Sequence, residues 1–267
     1  MGAKEARGKY LAFIDDDAYP DRSWLERSVR LLKRSRARAV CGPGIVPSDA
    51  TTWERVFDLL LRSWIGSGTY SYRFVQKPSR FVLDHPSMNF IMHRVDFVNL
   101  RGFKNDYWPG EDSKLCNEIV TQLRGRIRYD PSILVYHHRR PSLRAFLRQH
   151  EQYGFHRGAF FAHGDSNSRE LSYVVPALFV MYLSLYPVLL FCSWISSSPQ
   201  SAVLITAPLM LYGLLSIVFL IQSLINSRSI TVAFKALLAL ISMHLVYGTA
   251  FIRGFKKGRK KYRSIYE

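Results

Sequence analysis

Short apolar runs alternate with amphipathic patterns in the first part of the chain. The run Tyr10–Ile14 predicts a buried strand, and residues 23–38 predict a helix that Ser23 and Glu26 would begin with a capping box. The same patterns predict further strands over residues 39–42, 87–92, 127–129 and 133–136, and further helices over residues 53–64 and 112–124. Strands and helices that alternate in this way indicate an α/β layer with a mainly parallel sheet.

Three other segments need separate interpretation. Residues 66–86 contain Gly, Ser, Tyr and basic residues without periodicity, which predicts a mobile loop. Ser142 is the expected N-cap of a basic and aromatic amphipathic helix, which we expect to lie at a membrane surface. The apolar stripe over residues 53–64 is explained by packing in a core.

Two long apolar blocks dominate the second part of the chain. They cover residues 174–196 and 202–225, and a helix needs roughly 20 residues to cross a bilayer. A third block, over residues 232–252, is interrupted by Lys235 and His244 and is followed by a basic tail. The positive-inside rule places such a tail in the cytoplasm. We therefore predict that the third block is re-entrant or lies along the cytoplasmic interface, and a third crossing is the alternative.

These patterns divide the chain into three regions. We assign residues 1–140 to an α/β domain, residues 141–170 to an amphipathic interfacial helix and linker, and residues 171–267 to a transmembrane region with a basic tail. Residues 1–5 lack the apolar core of a signal peptide. We therefore expect the α/β domain to lie in the cytoplasm, with the chain crossing the plasma or inner membrane more than once.

Charge and cysteine content narrow the range of partners. The formal net charge is +17, and the three cysteines are scattered without metal-ligand spacing. The sequence carries no recognisable nucleic-acid-binding motif, and its basic residues lie beside the apolar blocks. We therefore interpret the charge as attraction to anionic lipid headgroups rather than to nucleic acid.

Two acidic clusters are the candidate chemical groups. Asp15, Asp16 and Asp17 close the first strand, while Glu111 and Asp112 open a later helix. The first cluster suits Mg²⁺ or Mn²⁺, which prefer oxygen ligands and commonly bridge to substrate phosphates, and the second can deprotonate an acceptor hydroxyl. A solvated aspartate turn and a favourable helix N-terminus are the alternative explanations. Together the clusters indicate group transfer from a phosphate-bearing donor.

Short motifs around these clusters have the spacing of one enzyme family. They are Gly2, Ala6 and Gly8 before the aspartates, then Arg94, Gly102-Phe103 and Trp108-Pro109-Gly110-Glu111-Asp112. In these motifs the chain resembles inverting glycosyltransferases of family 2 with the GT-A fold, in particular membrane-anchored ones similar to succinoglycan-type glucosyltransferases. The resemblance implies a partial GT-A, Rossmann-like, mixed sheet domain followed by an α-helical membrane region.

The resemblance also implies roles for the acidic residues and a class of substrate. Asp15 and Asp17 would hold the metal and the donor diphosphate, with Asp16 beside them. Asp112 would act as the base, next to Glu111. The implied donor is a nucleotide sugar, and the implied acceptor is a lipid-linked (polyprenyl) saccharide or a polysaccharide. Such reactions belong to the synthesis of exopolysaccharides and other cell-surface polysaccharides.

Residues further along the chain complete the expected site. His137 ends a predicted strand, where it either packs in the core or completes the metal site as a neutral imidazole. The residues that we assign to the acceptor and its phosphates are Trp108, Arg139, Arg140, Arg148 and Gln149.

Two departures from the family pattern limit the assignment. Processive relatives carry Gln-x-x-Arg-Trp where this chain has Gln149-His150-Glu151-Gln152-Tyr153, which favours addition of a single sugar over polymerisation. The family's asparagine and first strand would precede Met1, so we expect the α/β domain to be truncated at its N-terminus. The alternative function is therefore an inactive remnant that serves as a membrane-bound assembly subunit. A basic lipid-binding protein without catalysis would leave the acidic clusters unexplained.

Overall fold

The computed structural model describes residues 2–104, 107, 110–195 and 199–261. Its first part contains α1 (Gly2–Glu5), β1 (Tyr10–Ile14), β2 (Ala18–Pro20), α2 (Trp24–Arg34), β3 (Ala39–Cys41), β4 (Gly44–Ile45), α3 (Thr52–Arg62), α4 (Trp64–Ser67), β5 (Arg80–Val82), β6 (Asn89–His93), α5 (Arg94–Asn99), α6 (Glu111–Thr121), β7 (Ile127–Tyr129) and β8 (Val135–His137). Four long helices follow, which are α7 (Leu143–His163), α8 (Leu171–Ile195), α9 (Pro199–Ser227) and α10 (Ile230–Lys261).

Two mixed sheets form the centre of the α/β part. The larger sheet has the strand order β1-β6-β3-β7-β5, and the smaller has the order β2-β8-β4. Within the described ranges, β3–β7 and β4–β8 are parallel pairs, whereas β1–β6, β3–β6, β5–β7 and β2–β8 are antiparallel. The α/β fold class is confirmed, but the expectation of a mainly parallel sheet is wrong. β6 runs antiparallel to both strands that it separates, and β5 and β2 are each antiparallel to the strand beside them.

Alternate residues of β3 divide the core into two layers, one on each face of the larger sheet. Ala39 and Cys41 belong to the layer that includes Leu115 of α6, while Val40 belongs to the layer that includes Trp24 of α2. Successive side chains of a strand point to opposite faces, which explains this division. The helix that begins with the second acidic cluster therefore packs directly on the sheet.

The segment predicted as a mobile loop is ordered. It contains a 3-10 turn, Gly68–Arg73, followed by β5. Tyr72 packs edge-to-face on Tyr129, with ring centroids 4.9 Å apart, and its hydroxyl donates to the carbonyl oxygen of Asp84 at 2.8 Å. Aromatic residues thus fix the segment through contacts with distant parts of the chain, which local periodicity does not reveal.

The capping box predicted for α2 is not formed. Ser23 lies at the N-cap, but its side chain makes no capping hydrogen bond, and Glu26 pairs with an arginine of the same helix. Asp21 Oδ1 instead accepts from the backbone N–H of Ser23 at 3.1 Å. A complete capping box occurs at α3, between Thr51 and Glu54. The core packing predicted for the apolar stripe over residues 53–64 is confirmed for Val56, Phe57, Leu60 and Leu61, but Trp64 is 70% exposed.

Among the described residues, three segments are long and apolar enough to cross a membrane, judged by length and composition. They are Leu171–Ile195, Pro199–Ser227 and Ile230–Gly258. The third belongs to one continuous helix, so the re-entrant form of the prediction is wrong. An orientation along the interface or across the bilayer stays a prediction.

The polar residues of α10 contact protein groups. Lys235 Nζ lies 5.1 Å from the centre of the Trp53 ring. The His244 Nε2 atom lies 3.1 Å from the carbonyl oxygen of Ile65, and its Nδ1 lies 3.0 Å from the hydroxyl of Tyr212. Polar side chains within apolar helices usually face a partner in this way, because an unpaired polar group in hydrocarbon is costly. Lys235 and His244 are the two polar residues that interrupt the third apolar block. These contacts explain how both residues fit into a regular helix.

Helix α7 packs along α10 through glycines. A Cβ atom at Gly154 or Gly158 would collide with the carbonyl oxygens of Tyr247 and Phe251, and Gly254 of α10 makes an equivalent approach to α7. The contacts advance in the same direction along both helices, so the helices run parallel. Small residues at this spacing let two backbones approach closely. One side of α7 is therefore covered by protein, and its place at a membrane surface stays a prediction.

Gly158→Ala is expected to destabilise the protein, because the added methyl group has no room beside the α10 backbone. Overpacking of this kind costs about 1–3 kcal/mol. The matched control is Gly213→Ala, where an added Cβ meets nothing within 4 Å. Alanine favours a helix over glycine by about 1 kcal/mol, so the control should be neutral or stabilising. Thermal unfolding of both variants in detergent checks this, and equal unfolding temperatures would contradict the close contact.

Candidate active site

A cavity of about 720 Å³ joins the α/β part to the apolar helices. Part of its wall is polar and includes Asp15, Asp112, His137, Arg140 and Gln149. Another part is apolar and comes from α8, α9 and α10, with Val175, Phe179, Leu211, Leu215 and Met243. The cavity therefore brings a residue of each acidic cluster to one space and connects that space with the predicted membrane region.

The end of β1 brings two of the three aspartates together with a histidine. In the smaller sheet Ala18 pairs with His137, so the preceding residue lies beside the histidine. His137 Nε2 is 3.0 Å from Asp17 Oδ1. Asp15, Asp17 and His137 each offer one ligand atom, and these atoms lie within 4.8 Å of one another. Asp16 belongs neither to this group nor to the cavity wall, since alternate residues of an extended chain point in opposite directions.

The protonation states of this group suit a divalent cation. Burial, followed by the charges of Asp17 and Asp16, raises the pKa of Asp15 to about 6. Burial lowers the pKa of His137, which keeps its imidazole neutral, and its buried Nδ1 has no hydrogen-bond partner among the described residues. Crowded carboxylates and a neutral imidazole form a donor set for a metal ion. These residues therefore fit Mg²⁺ or Mn²⁺, whose charge would relieve the repulsion between the carboxylates.

Asp112 lies on the cavity wall in the first turn of α6. Its Oδ1 accepts from the backbone N–H of Ser113 at 2.6 Å. Burial, followed by the charges of Asp84 and Glu111, raises the pKa of Asp112 to about 6. Burial also raises the pKa of Glu111, but within the described part of the chain Glu111 is not on the cavity wall, and its buried Oε2 has no hydrogen-bond partner there. The geometry favours Asp112 over Glu111 as the group that meets a substrate.

The two neighbouring arginines of the predicted acceptor site have different surroundings. Arg140 lines the cavity, and its Nη1 lies 3.9 Å from Asp17 Oδ2. When the Gln149 amide oxygen faces Arg140, it accepts from Arg140 Nη2 at 3.0 Å. Arg139 is only 7% exposed, and its Nη2 donates to Asp58 Oδ1 at 3.0 Å. The charge of Arg139 is therefore balanced within the protein, which favours Arg140 as a ligand for phosphate.

Arg148 and Trp108 complete the predicted acceptor set. Arg148 is exposed on α7 and is not on the cavity wall, so the structure does not bring it to the other candidates. Trp108 lies outside the described residues. Tyr153 does line the cavity, one helical turn after Gln149, and its hydroxyl is 2.9 Å from the Gln149 amide. Its position four residues after Gln149 places it on the same face of α7. This spacing is the sequence signal that could have identified Tyr153 as a residue of the site.

Two acidic residues of α3 hold the segment that follows His137. Glu54 Oε1 lies 2.6 Å from His138 Nδ1 and accepts from the backbone N–H of Arg139 at 3.1 Å. Burial acts to raise the pKa of Glu54, but hydrogen bonds from Thr51 and His138 outweigh it and lower the pKa. Together with Asp58, Glu54 fixes the backbone between His137 and Arg140. Glu54 and Asp58 lie one turn apart on the buried side of α3. This spacing of acidic residues is the sequence signal that could have identified their role.

A buried charge cluster lies behind Asp112. Asp84 is 1% exposed and pairs with Arg157 and, at 3.2 Å, with Arg73. The hydroxyl of Tyr173 also donates to Asp84 Oδ2, at 3.2 Å. Burial acts to raise the pKa of Asp84, but the two guanidinium groups outweigh it and lower the pKa to about 2. The sequence interpretation missed this cluster, because Asp84 lies in the segment that was predicted to be a loop.

Comparison with known proteins gives one family. Residues 1–97 match the family model described as glycosyl transferase family 2. The matched segment contains the Asp15–Asp17 cluster, whereas Asp112 and His137 lie beyond it. A comparison with curated proteins finds no match. The family match, together with the mixed α/β sheet and the long apolar helices, supports a glycosyltransferase of family 2.

Proposed function

We propose that the protein transfers one sugar, with inversion, from a nucleotide-sugar donor to a lipid-linked acceptor in the synthesis of a cell-surface polysaccharide. The observation that carries this proposal is the cavity, which joins a candidate metal site and a candidate base to an apolar wall built by α8, α9 and α10. A soluble acceptor would not need the apolar wall. We place the α/β part on the cytoplasmic side of the membrane, because the basic residues beside the apolar helices follow the positive-inside rule in that orientation.

Asp15, Asp17 and His137 would bind the donor end of the reaction. A divalent cation held by these residues would neutralise charge on the leaving nucleoside diphosphate. Because imidazole is a softer ligand than a carboxylate, His137 favours Mn²⁺ over Mg²⁺ in this set.

Asp112 would accept the proton from the attacking hydroxyl of the acceptor. With its pKa at about 6, the carboxylate is mainly ionised at pH 7 and is a stronger base than an ordinary aspartate. Attack from the face opposite the leaving diphosphate displaces it directly, and the anomeric configuration inverts. The proton ends on Asp112, and the diphosphate leaves with the electron pair of the broken glycosidic bond.

The apolar part of the cavity suits the hydrocarbon chain of a polyprenyl-linked saccharide. Apolar pocket walls with a few polar groups at one end bind amphiphilic ligands in a fixed orientation. The hydrocarbon would contact Val175, Phe179 and Leu211, while the saccharide would lie toward Asp112. Arg140 and Gln149 are the residues that we assign to the acceptor phosphates.

The proposal is tested by following a labelled sugar. Membranes that contain the full chain are incubated with Mn²⁺, a tritiated nucleotide sugar (UDP-glucose, UDP-galactose and GDP-mannose in turn) and a synthetic polyprenyl-diphosphate-linked monosaccharide. We expect label from one donor to enter the fraction that organic solvent extracts, with the opposite anomeric configuration. Chelation of Mn²⁺ should stop the reaction.

Three other outcomes would contradict the proposal or favour the alternative function. Label that appears only as free sugar would contradict transfer to a lipid. Donor binding without any transfer would favour the assembly-subunit alternative. Absence of both binding and transfer for every donor would contradict the proposed function.

A further inference from the structure

Arg157 of α7 is a buried residue that contacts several elements near the candidate base. Its Nη2 donates to Ser113 Oγ at 2.7 Å and also to Asp84, while its Nη1 donates to Ser168 Oγ at 3.1 Å. The centre of its guanidinium lies 4.2 Å from the centre of the Tyr173 ring, at the start of α8. One side chain thus joins α6, α7, α8 and the segment before β6. Ser113 directly follows Asp112, so this junction lies one residue from the base.

The first turns of α6 have further contacts with the segment between α7 and α8. Asn167 Nδ2 donates to the carbonyl oxygen of Ser113 at 2.8 Å, and Lys114 Nζ lies 3.3 Å from Asp165 Oδ1. Ser166 Oγ donates to Asn117 Oδ1 at 3.0 Å. The turn that carries the candidate base is therefore fixed by the α7–α8 connection as well as by the sheet.

We propose that Arg157 is a positioning residue for Asp112: through Ser113 it holds the first turn of α6 so that the Asp112 carboxylate stays on the cavity wall. The effect of Arg157 on catalysis rests on the proposed function. The mechanical link, by which Arg157 holds the first turn of α6, does not. The planar guanidinium donates to Ser113, Asp84 and Ser168 at once, which a lysine ammonium cannot reproduce on a flexible stem. Each of these partners is at most 6% exposed, so loss of the guanidinium leaves a buried polar group without a strong partner. Arg157, Ser113 and Asp84 also line the cavity.

The mechanical link is tested without any substrate, by hydrogen–deuterium exchange of the detergent-solubilised full chain. In Arg157→Lys, amides of the peptide 110–121 should exchange about fivefold faster, the equivalent of one ordinary hydrogen bond. Amides of β3 and β6 should be unchanged. The matched control is Arg169→Gln, which removes an exposed arginine close to the same junction. Unchanged exchange in the peptide 110–121 of Arg157→Lys would overturn the inference.

A kinetic experiment tests the link to the base. Ser113→Ala and Arg157→Lys should each lower kcat by roughly ten- to hundredfold, because a small displacement of a catalytic group has effects of this size, while KM for the donor stays unchanged. The double variant should be no slower than Arg157→Lys alone, since both changes remove the same contact. Losses that multiply, or a raised donor KM, would overturn the inference.

The outcomes separate this inference from the proposed function. If the wild-type chain transfers no sugar, the proposed function fails, and the exchange experiment alone decides the link between Arg157 and α6. If Arg157→Lys does not fold, Ser113→Ala provides both readouts, because it deletes only one oxygen atom of the contact.

Discussion

Asp112→Asn is expected to lower the rate of sugar transfer by a factor of about 10² to 10⁴, the usual contribution of a general base. The amide keeps the shape of the side chain but does not accept a proton at neutral pH. Donor binding should persist, because the donor groups lie on Asp15, Asp17 and His137. Initial rates and calorimetric titration with the donor measure the two effects separately.

The matched control for this prediction is Glu111→Gln, since Glu111 is the adjacent acid but is not on the cavity wall. It should retain most of the activity. Wild-type activity should also fall as the pH is lowered through about 6, because Asp112 must be ionised to accept the proton. Normal turnover by Asp112→Asn together with an inactive Glu111→Gln would reverse the two roles.

Asp15→Ala and Asp17→Ala are each expected to abolish transfer. A hard cation that loses one carboxylate ligand from this three-residue set keeps only one carboxylate and one imidazole of it. Asp16→Ala should have a small effect, because Asp16 is not part of this set or of the cavity wall. Paramagnetic resonance of added Mn²⁺ measures the fraction bound in each variant, independently of activity. Equal losses of Mn²⁺ binding in all three variants would argue against a defined metal geometry.

Local patterns in the sequence predicted the elements that carry the site. The apolar run before Asp15 is β1, and Glu111 begins α6, as the alternation of apolar and polar residues indicated. The two acidic clusters fall at the ends of these elements, as the sequence indicated. Asp15 and Asp112 reach the same cavity because of how these elements pack against each other.

Contacts between distant residues were not predictable in the same way. Arg139 was assigned to phosphate by its place in a basic run, but it pairs with Asp58, 81 residues earlier in the chain. Arg157 and Asp84 are 73 residues apart and share no local pattern. The direction of β6 likewise depends on its pairing with β1 and β3, which lie far away in the sequence. Such features arise from packing, which the order of apolar and polar residues does not encode.

The cavity wall has a consequence for the design of inhibitors. On this wall Asp15, Asp112 and Arg140 come from the α/β part, and Val175, Phe179, Leu211 and Met243 come from α8, α9 and α10. A compound that fills the whole space therefore needs a charged or sugar-like head joined to a hydrocarbon tail. Screening against an excised, water-soluble α/β part would select compounds for the head alone and would miss the surface that binds the tail.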